Sequence, residues 1–294
     1  MTTSTPLLTL YDIASRPPRQ NTCFAPNPWK ARLALNFKAL PYQTAWVPLP
    51  DIPHLRSQTL RLPPARSFAD GTPFHTLPIL YDPNASSPPG TDRGTASSTG
   101  LLLGDSFDIA THLERQYPLS GAGSLFPPQN LDFPSSVTSQ DLLIPLSDIQ
   151  HHSPHVQYAL FNNRVDALFT SYTLLAAYNM PLDPPTADLA KAEFVRRAGL
   201  SSWEDFHLVG EPRQAMMLSF RDTLRETLAP LFRRDDTGPF LLGATASYAD
   251  LIVGAWLRMM QRTLSSGEWE QVRGWHEGIF GRLHDALDEY AEVK

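Results

Sequence analysis

The chain has 294 residues, of which 42% are hydrophobic and 18% charged, as in a globular protein with room for one large domain or two smaller ones. A formal net charge of −6 supplies no basic excess for phosphate backbones, which argues against nucleic acid as a partner. No apolar run approaches the length of a membrane span, the first residues lack a basic stretch followed by an apolar core, and the single cysteine, Cys23, forbids an intrachain disulfide, so the expected setting is reducing and cytoplasmic.

Leu7–Tyr11 reads as a short strand, followed by a polar, proline-bearing loop over 15–21. Pro28 suits a first helical residue with Asn27 as N-cap, and Trp29, Leu33, Leu35, Phe37 and Leu40 give the helix its apolar faces. Tyr42–Leu49 alternates partially, as a second strand does, and Pro50–Pro53 starts a short helical or irregular stretch. Strands follow at Leu77–Asp82 and Leu101–Leu103, expected to form a hairpin. Their connection, Asn84–Gly100, has no large aliphatic or aromatic residue and reads as a mobile insertion. Phe107, Ile109, Ala110 and Leu113 mark a helix that ends near Tyr117-Pro118. The order is β-α-β-α-β-β-α, that of an α/β thioredoxin-like domain over residues 1–118. Residues 119–134, with Gly121, Gly123, Pro127, Pro128 and Pro134, read as a linker. Beyond it the periodicity is helical, giving an all-α domain over 135–294 with helices near Val156–Leu175, Ala187–Arg197, Met216–Leu231, Leu251–Leu264 and Ile279–Tyr290.

The most informative stretch is His75-Thr76-Leu77-Pro78-Ile79-Leu80-Tyr81. Proline has no N–H and fits poorly in a central strand, but it is tolerated at a strand's first position after a cis peptide. That arrangement leaves the backbone N–H and C=O of Leu77 unpaired, able to bind an extended peptide as an added strand does. Downstream, Gly104-Asp105-Ser106 reads as a turn and a helix start, where free N–H groups favour a carboxylate.

Leu-Pro-Ile-Leu followed by Gly-Asp-Ser and a helix resembles the glutathione site of the glutathione transferase family. The resemblance implies that Leu77, before a cis Pro78, binds the cysteinyl backbone of glutathione, and that Asp105 and Ser106 bind its γ-glutamyl end. Asp105 has two readings, N-cap or partner of the ammonium, and its pairing with Ser106 favours the ligand. Gly238–Gly243 leading into Ser247-Tyr248-Ala249-Asp250 is similar to the capping box before a buried helix in the same family. Phe24–Lys30 and Ala34–Lys38 are similar to fungal transferases related to bacterial lignin β-etherases, in which a serine usually stands at the position of Ala25 and donates a hydrogen bond to the glutathione sulfur. Thiolate is the nucleophile and a free thiol titrates near pKa ~8.5, so that bond matters. Alanine cannot donate it.

Three substitutes present themselves. Asn27 carries an amide donor at the start of a helix whose dipole points the same way, and is either a plain cap or a cap that also touches substrate. Tyr11 stands at the end of the first strand, where it packs or donates. Cys23 is a buried bystander or the partner of glutathione in a mixed disulfide. Arg32 and Lys38 are expected on solvated surface. Met216, Met217, Met259 and Met260 are expected in the core, some of them facing a substrate pocket. His54, His75, His151 and His152 show no recognised metal spacing, so no metal is expected. The resemblance implies glutathione as co-substrate, a homodimer, and addition of the thiolate to a small apolar electrophile, for instance a fungal secondary metabolite, ending in conjugation or in cis–trans isomerisation of an olefin. The alternative is a glutathione-binding or regulatory module weakened in catalysis.

Overall fold

A computed structural model describes residues 6–68, 70–85, 95–97, 100–134, 145–147, 149 and 151–294. β1 (Leu8–Ile13) is followed by a single turn, α1 (Arg19–Thr22), and then by α2 (Pro26–Phe37) and β2 (Tyr42–Val47). An irregular helical stretch containing α3 (Ile52–His54) leads to a two-stranded hairpin, β3 (Arg66–Ser67) and β4 (Pro73–Phe74). β5 (Ile79–Asp82), β6 (Thr95–Ser97), β7 (Gly100–Leu103) and α4 (Ser106–Gln116) complete this half. Among the described residues the main sheet has five strands in the order β2-β1-β5-β7-β6. β1 and β2 are parallel, joined through α2, while β1–β5 and β5–β7 are antiparallel, with Leu80 opposite Leu103. This is a thioredoxin-like domain.

Two expectations for this half need correction. The connection between β5 and β7 is not wholly an insertion: Thr95–Ser97 pairs antiparallel with β7 as an edge strand. The rest of it, residues 86–94 and 98–99, lies outside the described residues. The first helix also begins two residues early. Pro26 is its first helical residue and Ala25 its N-cap, so Asn27 and Pro28 stand inside the first turn.

The second half is helical: α5 (Val156–Thr170), α6 (Leu174–Ala177), α7 (Ala187–Ala198), α8 (Gly210–Glu226), α9 (Ala229–Phe232), α10 (Tyr248–Thr263) and α11 (Ser266–Ala286). α10 is the buried hub, packed against α2, α5 and α11. Its first turn is closed by the expected capping box. Asp250 accepts from the Ser247 N–H and hydroxyl, each at 2.8 Å, and from the Leu241 N–H at 2.8 Å. α11 is two helical segments run together: the backbone at Trp275–Gly278 is not helical, turning left-handed at His276–Gly278, and the second segment starts at Ile279, where the periodicity predicts a helix. Residues 119–134 carry no helix or strand, yet Leu125, Phe126, Leu131 and Phe133 are buried in the shared core. No helix among the described residues is long and apolar enough to cross a membrane.

Burial overturns the expectation for the cations of the first helix. Arg32 and Lys38 are each 0% exposed, as is Lys30. Arg32 is enclosed by Trp29, Tyr42 and Trp46, with its guanidinium 2.6 Å from Asp12. Lys38 meets Glu114 at 2.7 Å and the Gly123 carbonyl at 2.8 Å. Desolvating a charge is costly unless it is paired and hydrogen-bonded, and each of the three has its carboxylate on a distant segment.

Candidate functional site

α2 opens with an unusual set of donors. In an α-helix the first residues after the cap have N–H groups with no helical acceptor. Here Pro26 and Pro28 have none to offer, and the Trp29 N–H already bonds the Ala25 carbonyl at 3.2 Å. The Asn27 N–H is the one orphan donor of this turn. Such a start needs little side-chain capping, and Ala25 provides none. The Asn27 side chain is held by Lys30, whose Nζ donates to Oδ1 at 3.0 Å.

The second segment is the turn into β5. The Leu77–Pro78 peptide is cis. Leu77 is buried, and its N–H has no backbone acceptor among the described residues. Arg56, 3% exposed, fixes this turn. Its Nη1 donates to the Thr76 carbonyl (2.8 Å), its Nη2 to the Gly104 carbonyl (3.0 Å) and its Nε to the Pro63 carbonyl (2.6 Å). One guanidinium therefore ties the residue before Leu77 to the residue before Asp105. Gly104 has no side chain because there is no space for one: a Cβ there would lie 2.3 Å from Arg56 Nη2. Burial lowers the Arg56 pKa to about 10, which leaves it charged at neutral pH.

Asp105 is the N-cap of α4, with Oδ1 accepting from the Phe107 N–H at 2.8 Å and Oδ2 from the Ser147 hydroxyl at 2.9 Å. Ser106 is 1% exposed, and its hydroxyl has no partner among the described residues.

Between the two halves lies a cavity of about 510 Å³. Ala25, Asn27 and Leu77 meet in its wall, with Thr76 and His75 beside them. Phe24, Phe68, Phe74, Phe194, Phe206 and Met259 make most of the remainder apolar. Arg66 and the Arg197–Glu193 pair (2.6 Å) bring charge to it, and Arg197 also lies over Phe68 and Phe74. Burial pushes the His75 imidazole pKa down, with the charge of Arg56 acting in the same direction. Pro78, Asp105, Ser106, Tyr11 and Cys23 do not line the cavity. The Tyr11 pKa is raised by burial and then by Tyr81. Cys23 is 1% exposed with its pKa pushed up to about 12, mainly by burial, which is the opposite of an activated thiol. Met217 and Met260 are core, and Met259 is both buried and a cavity residue.

Sequence reasoning missed Arg56, Arg66 and the Lys30 network. Only Lys30 carried a local signal, its position three residues after Asn27 on one helical face.

Comparison with known proteins agrees with this layout. A model of the glutathione S-transferase N-terminal domain matches residues 24–116, and one of the C-terminal domain of the same family matches residues 157–290. A glutathione S-transferase-like protein of Aspergillus flavus, ustS, is 27% identical over 97% of this chain and 91% of its own length. A glutathione S-transferase of Ceriporiopsis subvermispora, solved in complex with glutathione, superposes with a TM-score of 0.74 at 25% identity, covering 98% of this chain and 99% of that one. A glutathione transferase of Phanerochaete chrysosporium, GSTFuA3, shares the fold with a TM-score of 0.70 at 22% identity, covering 99% of this chain and 100% of that one.

Proposed function

Because this chain belongs to the glutathione S-transferase family, we propose that it binds glutathione along the Leu77 turn and the start of α4 and adds the glutathione thiolate to a small apolar electrophile. One observation carries the reading. Ala25 and Asn27 on α2 and Leu77 before β5, distant in sequence, converge on a single cavity whose other walls are largely aromatic and aliphatic. The unpartnered Ser106 hydroxyl supports a role at the γ-glutamyl end, with Asp105 beside it as cap and counter-charge. The relative from Ceriporiopsis subvermispora was crystallised with glutathione, which supports the same assignment.

In the proposed reaction the sulfur sits at the start of α2. There the Asn27 backbone N–H, the Asn27 amide and the positive end of the helix favour thiolate over thiol. The thiolate adds to the β-carbon of a conjugated acceptor, and the electron pair moves onto the acceptor's carbonyl. If the resulting enolate takes a proton, the product is a conjugate. If the new single bond rotates and the same pair expels the thiolate, the product is the isomerised olefin and glutathione is regenerated. Without the hydroxyl that the family resemblance implies at the position of Ala25, the sulfur is a moderate nucleophile. Reversible addition tolerates this, because the same sulfur must later leave. A homodimer belongs to the proposal on family resemblance alone.

Calorimetry with glutathione, followed by assay against cis-configured enones, tests the reading. Binding with loss of the enone chromophore supports conjugation, and binding with cis-to-trans conversion at constant glutathione supports isomerisation. Binding with neither favours the second reading, a binding module, for which Ala25 is the specific argument. Failure to bind glutathione at all overturns the proposal.

A further inference from the structure

We propose that Lys30 is a positioning residue that fixes the Asn27 side chain as a hydrogen-bond donor toward the cavity; this rests on the reading of Asn27 as a thiol partner. Lys30 lies wholly inside the protein, and its ammonium has three protons and no acceptor capacity. All three are used: on Asn27 Oδ1 at 3.0 Å, on Asn162 Oδ1 at 2.8 Å, and on the Asp166 carboxylate in a short contact. An ammonium cannot accept, so the Asn27 atom that faces it must be the oxygen. This settles which way the amide points, a choice that usually rests on the network around it. The NH₂ is left at the other corner of the amide, with no acceptor among the described residues, on a residue that lines the cavity.

The partner that holds Lys30 is itself held. Asp166 accepts from Trp256 Nε1 at 2.7 Å and faces the Asn162 amide at 3.4 Å. Both Asp166 and Trp256 also line the cavity. The line from Trp256 and Asp166 through Lys30 to Asn27 therefore begins and ends on residues that line the same cavity. Burial pulls the Lys30 pKa down and Asp166 opposes it, while Arg66 adds a repulsion and Asp105 an attraction. A buried cation costs more than an apolar side chain of the same length would. The arrangement has a function if the cation's task is to choose the amide's orientation, since an apolar residue would leave the amide free to turn its oxygen toward the sulfur and repel a thiolate.

The test follows the pKa of bound glutathione by thiolate absorbance, alongside glutathione Kd and near-ultraviolet circular dichroism, in Asn27→Ala, Asn27→Asp, Lys30→Gln, the paired Lys30→Met/Asp166→Leu, and the combination of Lys30→Gln with Asn27→Ala. The paired variant removes both charges at once. Lys30→Gln keeps a donor for Asp166 and folds under milder demands, so it carries the test if the pair does not fold. Asn27→Ala should raise the bound-thiol pKa by about one unit for one lost hydrogen bond, and Asn27→Asp should raise it further, because a carboxylate beside the sulfur disfavours the thiolate. Lys30→Gln should raise it in the same direction with Kd changed less than threefold, and adding Asn27→Ala to it should add nothing. An unchanged pKa in Lys30→Gln, when Asn27→Ala shifts it, overturns the positioning role. Additive shifts overturn it too, because Lys30 would then act by its charge. If Asn27→Ala itself leaves the pKa where it was, the donor assignment fails and the inference with it. Absence of glutathione binding by the unaltered protein, by contrast, removes the functional reading first.

Discussion

Replacing Arg56 by Met should be among the most damaging single changes in the first half. The guanidinium donates to three backbone carbonyls on three segments, at 2.6, 2.8 and 3.0 Å. A hydrogen bond from a charged donor contributes about 1.5–3 kcal/mol, and an acceptor left buried without a partner costs about 1–3 kcal/mol. Met fills much of the stem volume, and water reaches some of the freed carbonyls, so three full losses overstate the cost. We expect about 3–5 kcal/mol by urea denaturation, a large share of a typical domain's total stability. Arg56→Lys, a point donor without the planar fork, should recover part of this. Glutathione affinity should fall as well, because the same group ties the Leu77 turn to the start of α4. Gly104→Ala supplies the cross-check. Its Cβ would lie 2.3 Å from Nη2 and 2.9 Å from Cζ, so the guanidinium must move and give up at least the Gly104 carbonyl, at about 1.5–3 kcal/mol. In the Arg56→Met background the same change should be nearly neutral. A loss below about 1 kcal/mol in Arg56→Met, or full additivity of the two changes, would refute the clamp.

Ala25→Ser should lower the pKa of bound glutathione by about one unit and change stability by no more than about 1 kcal/mol, because the two prolines leave only the Asn27 N–H to cap; a stability gain without a pKa change would place the hydroxyl on the helix instead of the sulfur. Ser106→Ala should weaken glutathione binding by about 1–2 kcal/mol in calorimetry, and unchanged affinity would remove Ser106 from the site. His284 has its pKa depressed from 6.5 to about 4, first by burial and then by Arg258. The folded state therefore binds a proton more weakly than the unfolded chain. Its contribution is fully present above pH 6.5 and is lost as pH falls from there toward 4, so the melting temperature should drop across that window and His284→Gln should flatten the drop. Cys23, with its pKa near 12, should react with thiol reagents far more slowly at pH 8 than free glutathione does.

The fold was legible wherever a local rule governs it. The Leu-Pro-Ile-Leu strand and the Gly-Asp-Ser helix start announce themselves through proline and cap chemistry, and the buried α10 through its Ser-x-x-Asp box. The start of α2 differs from the expected one because proline is acceptable anywhere in a helix's first turn: Pro28 satisfies the rule, but so does Pro26, and the earlier one marks the true start. The buried cations were illegible for a different reason. A lysine or arginine on a helix reads as solvated unless its partner is in view, and Asp166 lies 136 residues from Lys30. Arg56 was hidden because its partners are backbone carbonyls, which every residue has and which no sequence pattern marks. The β3–β4 hairpin escaped because two-residue strands have no periodicity to read.

The ion pair between Lys30 on α2 and Asp166 on α5 also bears on how such a protein can be inherited. Each half carries one member of a charge pair that is tolerable inside a protein only when both are present. Cut apart, the first half would hold an ammonium with no counter-ion and the second a carboxylate beside Trp256 with none. A recombination that joined this first half to a foreign helical half would have to bring an acid to the same depth, or fail. Engineered chimaeras that keep Lys30 should therefore have viable junctions only where an acid at the depth of Asp166 comes with it.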